Sequence, residues 1–317
     1  VRAVRYGAEG PEVIEVEEPE PPGPDWAVVE VAAVGICGTD LALADRGLLR
    51  VVPGHEIGAR LEDDGTPVAV EPLVPCGRCD ACRRGEGHLC RDGPAILLGV
   101  GRDGGMAERV AVPRRALVPL PGGVRPEDAS LVEPLAVAVH GLRLAGLLPG
   151  QRVAVVGGGA IGLCAALAAA RSGAEVAVEA RHEAQRRAAE ALGARVGAAG
   201  EYDLVVDAAG SESGLVRALD LLRPGGSIVV LALHWGLLPL PYVSAALKEA
   251  RVLASTTYGR HGAARDVDDA AALLAAAPEA AEVLVTHRFA LGEAARAFET
   301  ARARAAGAIK VVVEPSR

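Results

Sequence analysis

The chain has 317 residues, half of them hydrophobic, 23% charged and only 3% aromatic, with a net charge of −8. That length exceeds what one core fills and suits two domains, while acids and bases interleave with no long basic run, which argues against nucleic acid as a partner. The longest apolar stretches, around Ile161–Ala170 and Ala270–Ala277, are too short and too alanine-rich to span a bilayer, so no membrane association is expected. Val1–Gly10 shows no apolar signal-peptide core, and a cytoplasmic protein is expected. Asn is absent, and Gln151, Gln185, Lys248 and Lys310 are the only residues of their kinds. Such scarcity of amides and lysines fits a heat-adapted protein or GC-rich coding.

The first hundred residues are rich in Gly, Pro and Val. Short β-like runs at Val28–Val34, Pro67–Val70 and Glu108–Val112 are separated by turn signals such as Asp64-Gly65 and Asp103-Gly104. Near Pro126 the character changes. A helix is predicted from Glu127 to Ala145, ended by Gly146 and Pro149-Gly150. Strand and helix then alternate: strands at Val153–Val156, Val176–Val178, Leu204–Asp207 and Ser227–Ala232, helices at Ala160–Ser172, Glu183–Leu192 and Gly214–Leu222. Alternation of this length predicts a parallel sheet with helices on both faces. A further strand near Val252–Thr256 precedes a helix over Ala263–Ala277. The tail reads strand, helix, strand at Thr286–Phe289, Gly292–Arg304 and Lys310–Val313, and is expected to return to the first domain. The expected division is 1–132 with 278–317, against 133–277.

Between the strand Val153–Val156 and the helix from Ala160 lies Gly157-Gly158-Gly159-Ala160-Ile161-Gly162. A bare GxGxxG is weak evidence in a chain with 39 glycines, but between a strand and a helix it predicts a dinucleotide site. Gly157 allows the tight turn, Gly159 the approach of a pyrophosphate, and Gly162 close packing of helix on strand. The helix N-terminus at Ala160 and Ile161 offers free N–H groups to the phosphates. Selection between NAD and NADP falls to the end of the next strand, where Glu179, Ala180 and Arg181 stand. Either Glu179 binds a ribose 2′-hydroxyl, or Ala180 faces the ribose and Arg181 takes a 2′-phosphate.

The most specific signal is Cys76-x-x-Cys79-x-x-Cys82-x7-Cys90. Four thiolates on a turn-rich lobe over 76–90 can close a tetrahedral shell around zinc with no open position, a structural site. A second, open set is weaker. Cys37, Thr39 and Asp40 lie in Gly35-Ile36-Cys37-Gly38-Thr39-Asp40, His55 and Glu56 follow Gly54, and Glu133 stands where a helix begins. Singly each is ordinary. Together they can form a mixed S/N/O shell that leaves a position for a substrate oxygen.

These motifs, taken in order, resemble the zinc-dependent medium-chain dehydrogenases, and particularly the polyol, butanediol and threonine dehydrogenase branch. The resemblance covers nearly the whole chain. It implies a GroES-like, mostly-β catalytic domain made from both chain ends and a doubly wound Rossmann domain, an α/β protein with its site in the cleft. It implies two zinc ions, the catalytic one bound by Cys37 and His55, with Glu56 and Glu133 binding directly or through water. Thr39 would contact the substrate alcohol and Asp40 would orient His55. The partner is then a small alcohol or carbonyl, and a homodimer or homotetramer is expected. The family's second-strand acid corresponds to Ala180, which favours NADP(H) over NAD(H).

The chain departs from the pattern at Ala42, where many members carry a relay histidine, and its loops after Cys37 and Glu56 are short. Substrate identity therefore does not carry over, and threonine loses support. The expected activity is hydride transfer between a small secondary alcohol or polyol and NAD(P). The rivals are an NADPH-dependent carbonyl reductase, a sugar dehydrogenase on the same scaffold, or a catalytically silent homologue. His234 or Trp235, after the strand ending at Ala232, either lines the nicotinamide pocket or packs in the core.

Overall fold

The computed structural model describes every residue except Ala8. In chain order, strands β1 (Arg2–Gly7), β2 (Gly10–Glu15) and β3 (Trp26–Gly35) lead to helix α1 (Gly38–Asp45). Strands β4 (Glu56–Leu61) and β5 (Pro67–Val70), the short helix α2 (Asp80–Arg83), strands β6 (Arg109–Pro113) and β7 (Leu117–Pro119), and helix α3 (Val132–Leu144) follow. Next come β8 (Arg152–Val156), α4 (Ala160–Arg171), β9 (Glu175–Glu179), α5 (Glu183–Ala191), β10 (Arg195–Val196) and β11 (Tyr202–Asp207). After them run α6 (Glu212–Leu221), β12 (Leu222–Val230), α7 (Tyr242–Leu247) and β13 (Arg251–Ala254). The last part holds β14 (Arg260–His261), β15 (Ala264–Arg265), α8 (Asp266–Ala276), α9 (Glu279–Leu284), β16 (Val285–Ala290), α10 (Ala294–Arg302) and β17 (Lys310–Glu314).

The chain divides into two compact units, Val1–Glu133 with Gly259–Arg317, and Pro134–Tyr258. The return falls earlier than the 278 read from the sequence, so helix α8 belongs to the first unit. Arg265 is the reason. Its guanidinium meets Glu71 at 3.2 Å, the carbonyls of Arg115 and Leu117 at 2.9 and 3.3 Å, and Asp268 at 2.6 Å. These bonds, with packing of α8 on β7, tie the start of the helix to the first unit before 278 is reached. The other boundary falls one residue later than read, leaving Glu133 with the first unit.

In the first unit a seven-stranded sheet runs β16-β17-β3-β4-β5-β7, with β6 also paired to β3. Its core is built from branched aliphatics, among them Val29, Val31, Val34, Ile57, Val68, Val110, Val311 and Val313, packed with Met106 and Phe298. With two Phe in the chain, most of that burial comes from Val, Ile and Ala. The last strand sits inside the sheet: β17 is parallel to β16 and antiparallel to β3.

The second unit is a parallel sheet in the order β10-β9-β8-β11-β12-β13. The chain leaves β8 first toward β9 and then, through β11, in the opposite direction. The β8/β11 pair is therefore the switch point at whose C-terminal end open α/β sheets bind ligands. Helix α4 is buried from Gly162 to Ala169, and its small side chains let it lie close on the sheet. Lys248 closes the end of α6 by donating to the carbonyls of Leu219, Asp220 and Leu222 at 2.7, 3.2 and 2.6 Å.

The strands and helices expected over 153–232 all form, with ends shifted by at most five residues. The helix read from Glu127 begins only at Val132, after a 3-10 turn at Ala129–Leu131. The helix read from Ala263 begins at Asp266, because Ala264–Arg265 forms a strand with Arg260–His261.

Candidate metal and cofactor sites

Three elements of the first unit bring one cluster together. Helix α1 places Cys37 at its N-cap and Asp40 in its first turn. The Asp40 carboxylate accepts the Cys37 N–H at 2.8 Å, and the Thr39 N–H points at the Cys37 sulfur at 3.5 Å. His55 and Glu56 stand at the start of β4. Gly54 before them adopts a φ of +96°, and a Cβ there would lie 2.5 Å from a Val34 methyl, so the turn needs glycine. Strand β17 adds Lys310, whose ammonium lies 2.6 and 2.7 Å from the two Glu56 oxygens and 3.4 Å from the Ile36 carbonyl.

The ligand atoms of Cys37, His55 and Glu56 all lie within 4.8 Å of one another. A thiolate, an imidazole and a carboxylate at that spacing are a donor set that fits zinc. Asp40 and Glu56 are fully buried and His55 nearly so. The Asp40 Oδ1 stands 3.6 Å from His55 Nδ1, and neither atom has a hydrogen-bond partner. That arrangement turns Nδ1 toward the carboxylate and leaves Nε2 for a ligand. Glu133, also buried, stands outside this tight set. Arg288 on β16 fixes the approach to it by binding the Glu127 carbonyl at 3.1 Å, Asp128 at 2.6 Å and Glu314 at 2.9 Å.

The electrostatics are those of a proton-rich cluster. Burial pushes the Glu133 carboxyl up to about 7, with Glu56 and Asp40 adding to the rise and His55 and Lys310 opposing it. Burial also raises Asp40, against the pull of His55 and the Cys37 N–H. At His55 burial disfavours the charged ring, yet Asp40 and the Cys37 sulfur outweigh it and hold the imidazole well above its ordinary value. A divalent cation in such a cluster displaces protons and relieves the crowding of acceptors.

The second cluster forms around α2. Sulfur separations are 3.9 Å for Cys76–Cys82, 3.4 Å for Cys79–Cys82 and 3.9 Å for Cys79–Cys90. A disulfide needs about 2.05 Å, and all six cysteines are free. A tetrahedron with Zn–S of about 2.3 Å has edges of roughly 3.8 Å, so the lobe fits a closed tetrathiolate site. Backbone N–H groups of Arg91 and Cys82 pull the Cys79 thiol down to about 6, whereas burial pushes Cys82 up to about 12.

In the second unit, Gly157 has a φ of +111°, and a Cβ there would meet the Ala208 carbonyl carbon at 2.8 Å. A Cβ on Gly162 would collide with the Gly157 carbonyl oxygen. Gly159 is the extended N-cap of α4 and has open space above it, so a phosphate can approach the N–H groups of Ala160 and Ile161. The cradle fits a dinucleotide. At the end of β9 the two alternatives separate. The Glu179 carboxylate is held by Arg217 through contacts of 2.6, 3.0 and 3.1 Å. Ala180 instead faces the glycine turn, its methyl 2.6 Å from where a Cβ on Gly158 would stand. Arg181 is exposed, and Arg186 donates to its carbonyl at 3.0 Å.

Lys310 is the residue that reading the sequence missed. In the sequence it marks the start of a strand and no site. The available signal is that one of only two lysines in an arginine-rich chain stands at the head of an apolar strand.

A sheet of β strands carrying a mixed S/N/O cluster and a tetrathiolate lobe, in one chain with a parallel sheet and its glycine cradle, defines a metal-dependent, dinucleotide-linked oxidoreductase. The comparisons with known proteins agree. Residues 23–122 match the alcohol dehydrogenase GroES-like domain, and residues 160–276 match the zinc-binding dehydrogenase family. L-galactonate-5-dehydrogenase of Escherichia coli K12 is 32% identical over 88% of each chain. L-threonine 3-dehydrogenase of Pyrococcus horikoshii is 30% identical over 81% of each. The structure of a protein from Sinorhizobium meliloti 1021 described as a zinc-binding dehydrogenase, bound to NADP, superposes with a TM-score of 0.88 at 31% identity over 99% of both chains. The chain belongs to the zinc-dependent medium-chain dehydrogenases, enzymes that move hydride between an alcohol or polyol and NAD(P).

Proposed function

We propose that the chain oxidises a small secondary alcohol or polyol, with Cys37, His55 and Glu56 as ligands of a catalytic zinc and Cys76, Cys79, Cys82 and Cys90 as ligands of a structural one. The observation that carries this reading is the set of three unlike donor atoms within 4.8 Å of one another. When bound, zinc supplies Lewis acidity toward the substrate oxygen, and the nicotinamide ring supplies a hydride acceptor. The protein's own groups do the rest. Asp40 orients the His55 ring. Lys310 neutralises Glu56, whose two oxygens each keep a further lone pair beyond that contact. The Thr39 hydroxyl, on the half-buried first turn of α1, receives the substrate proton and passes it outward. Glu133 acts from outside the tight set, through water.

NADP(H) is the preferred cofactor in this reading. Glu179 is engaged by Arg217, Ala180 offers no carboxylate, and Arg181 and Arg186 supply positive charge beside it. The NADP-bound relative supports the same choice. The enzyme assembles as a homodimer or homotetramer, a reading favoured by the exposed apolar side chains of Leu237, Tyr242, Val243 and Leu247. No helix among the described residues is long and apolar enough to cross a membrane.

The experiment is a rate panel on protein of measured zinc content. Secondary alcohols, diols, polyols, sugar acids, aldoses and threonine are each offered with NAD⁺ and NADP⁺, and the matching carbonyls with the reduced cofactors. Turnover that chelation abolishes, on a polyol and faster with NADP⁺, is expected. Silence from protein holding one zinc would sink the catalytic-site assignment.

A further inference from the structure

At the switch point of the parallel sheet, a buried acid faces His234, the residue whose sequence position fits either the nicotinamide pocket or the core. Asp207 is the last residue of β11, in register with Val156 at the end of β8 and Val230 at the end of β12. It is fully buried. Its Oδ1 accepts the Ala209 N–H at 3.0 Å, and its carbonyl accepts the N–H groups of Leu231 and Ala232 at 2.9 and 3.2 Å. Its other oxygen, Oδ2, has no hydrogen-bond partner. Opposite it, 3.5 Å away, stands Nε2 of His234, also sealed from solvent and also without a hydrogen-bond partner.

Two buried polar atoms left unsatisfied cost more than the small side-chain rotation that joins them. Pairing them has a chemical consequence. With Asp207 as the acceptor, the pairing selects the tautomer with hydrogen on Nε2 and leaves a lone pair on Nδ1. The His234 side chain is 14% exposed, and since Nε2 is sealed, that exposure belongs to other atoms of the side chain. The pair sits next to the glycine turn, since a Cβ on Gly157 would touch Ala208, the neighbour of Asp207. The fixed acceptor therefore stands where an open α/β sheet takes its ligand.

We infer that His234 is a cofactor-binding residue, its Nδ1 accepting a hydrogen bond from an O–H or N–H donor in the nicotinamide half of the dinucleotide, and that Asp207 is the positioning residue that fixes its tautomer. The inference rests on the proposed dinucleotide function and adds a side-chain contact to it. His234 follows β12 in a loop where, among the neighbouring residues, Leu233, Trp235 and Leu237 are exposed, so its half-buried position reflects the contact with Asp207 and not general burial of the loop.

The test is cofactor binding, followed by fluorescence titration of the zinc-loaded protein with NADPH and NADH, and by calorimetry with the fragments 2′,5′-ADP and ADP, which lack the nicotinamide half. His234→Leu removes the acceptor. It is expected to weaken the reduced dinucleotides about three- to tenfold, the worth of one neutral hydrogen bond, and to leave the fragments unchanged. His234→Asn places an amide oxygen near the Nδ1 position and is expected to bind within about twofold of the parent chain, the size of change that falls below one hydrogen bond. His234→Gln places its amide near Nε2 and is expected to behave as His234→Leu. Unchanged dinucleotide binding in His234→Leu overturns the inference. So does an equal loss for dinucleotides and fragments, which would mark a structural role for the loop. Failure of the parent chain to bind any dinucleotide would instead remove the proposed function, and the inference with it.

Discussion

The ammonium of Lys310 lies 2.6 and 2.7 Å from the two carboxylate oxygens of Glu56, with both side chains buried. The pair joins β17, late in the chain, to β4 near its beginning. Removing one partner of such a pair leaves an uncompensated buried charge. Lys310→Met is expected to cost about 3–5 kcal/mol of stability. Adding Glu56→Gln removes the orphaned charge, so the double variant is expected to recover about half of that loss or more. Denaturant titration of the metal-free chains checks both, and a double variant no more stable than the single one would mean that the loss does not come from an orphaned Glu56 charge.

The tetrathiolate lobe makes a stoichiometric prediction. Cys90→Ser removes a buried ligand from a closed site. Zinc content measured by atomic emission is expected to fall from two ions per chain to one, with a loss of stability on the order of several kcal/mol. A chain that still carried two ions would place the second zinc elsewhere.

Cofactor choice can be separated from cofactor binding at the end of β9. Arg181→Ala is expected to lower kcat/KM for NADP⁺ about tenfold, the worth of a charge-assisted contact, while leaving NAD⁺ within about twofold. Ala180→Asp is expected to reverse the preference by supplying the acceptor for a ribose 2′-hydroxyl. Equal effects on both cofactors from either change would show that the phosphate is read by other residues.

Gly162 offers a test of the cradle. The methyl of Gly162→Ala would run into the Gly157 carbonyl oxygen. The helix must then move off the strand, at an expected cost of about 1–3 kcal/mol, and dinucleotide affinity is expected to fall with it. Gly159→Ala has open space for its methyl and is expected to keep the stability of the parent chain, losing only affinity. Thermal melts and NADPH titrations on the two variants distinguish these effects.

The parallel sheet was the most legible part of the sequence, because strands buried on both faces read as continuous Val and Ala runs and their glycine punctuation is strong. The four clustered cysteines were legible for the same reason, since their spacing is local. What the sequence did not show depends on residues far apart. The strand Glu56–Leu61 was missed because Gly58 and Arg60 interrupt its apolar run, although its pairing with β3 is extensive. The assignment of α8 to the first unit rests on Arg265 reaching Glu71, a contact between distant segments. Glu179 reads either way at the end of its strand, and its contact with Arg217, a residue 38 positions away, leaves no local trace. Of the proposed metal cluster, resemblance points to the candidate ligands, whereas the contact between Lys310 and Glu56 spans 254 positions and leaves no local trace.

Both lysines of the chain are committed inward, Lys248 to three carbonyls and Lys310 to Glu56. The positive surface is otherwise carried by arginine, so amine-directed reagents find almost nothing to acylate on the folded protein. Lys310 thereby becomes a built-in reporter. Its side-chain amine reacts only when the buried pair with Glu56 opens, and the rate at which mass spectrometry sees it acylated measures how often the cluster around Glu56 opens.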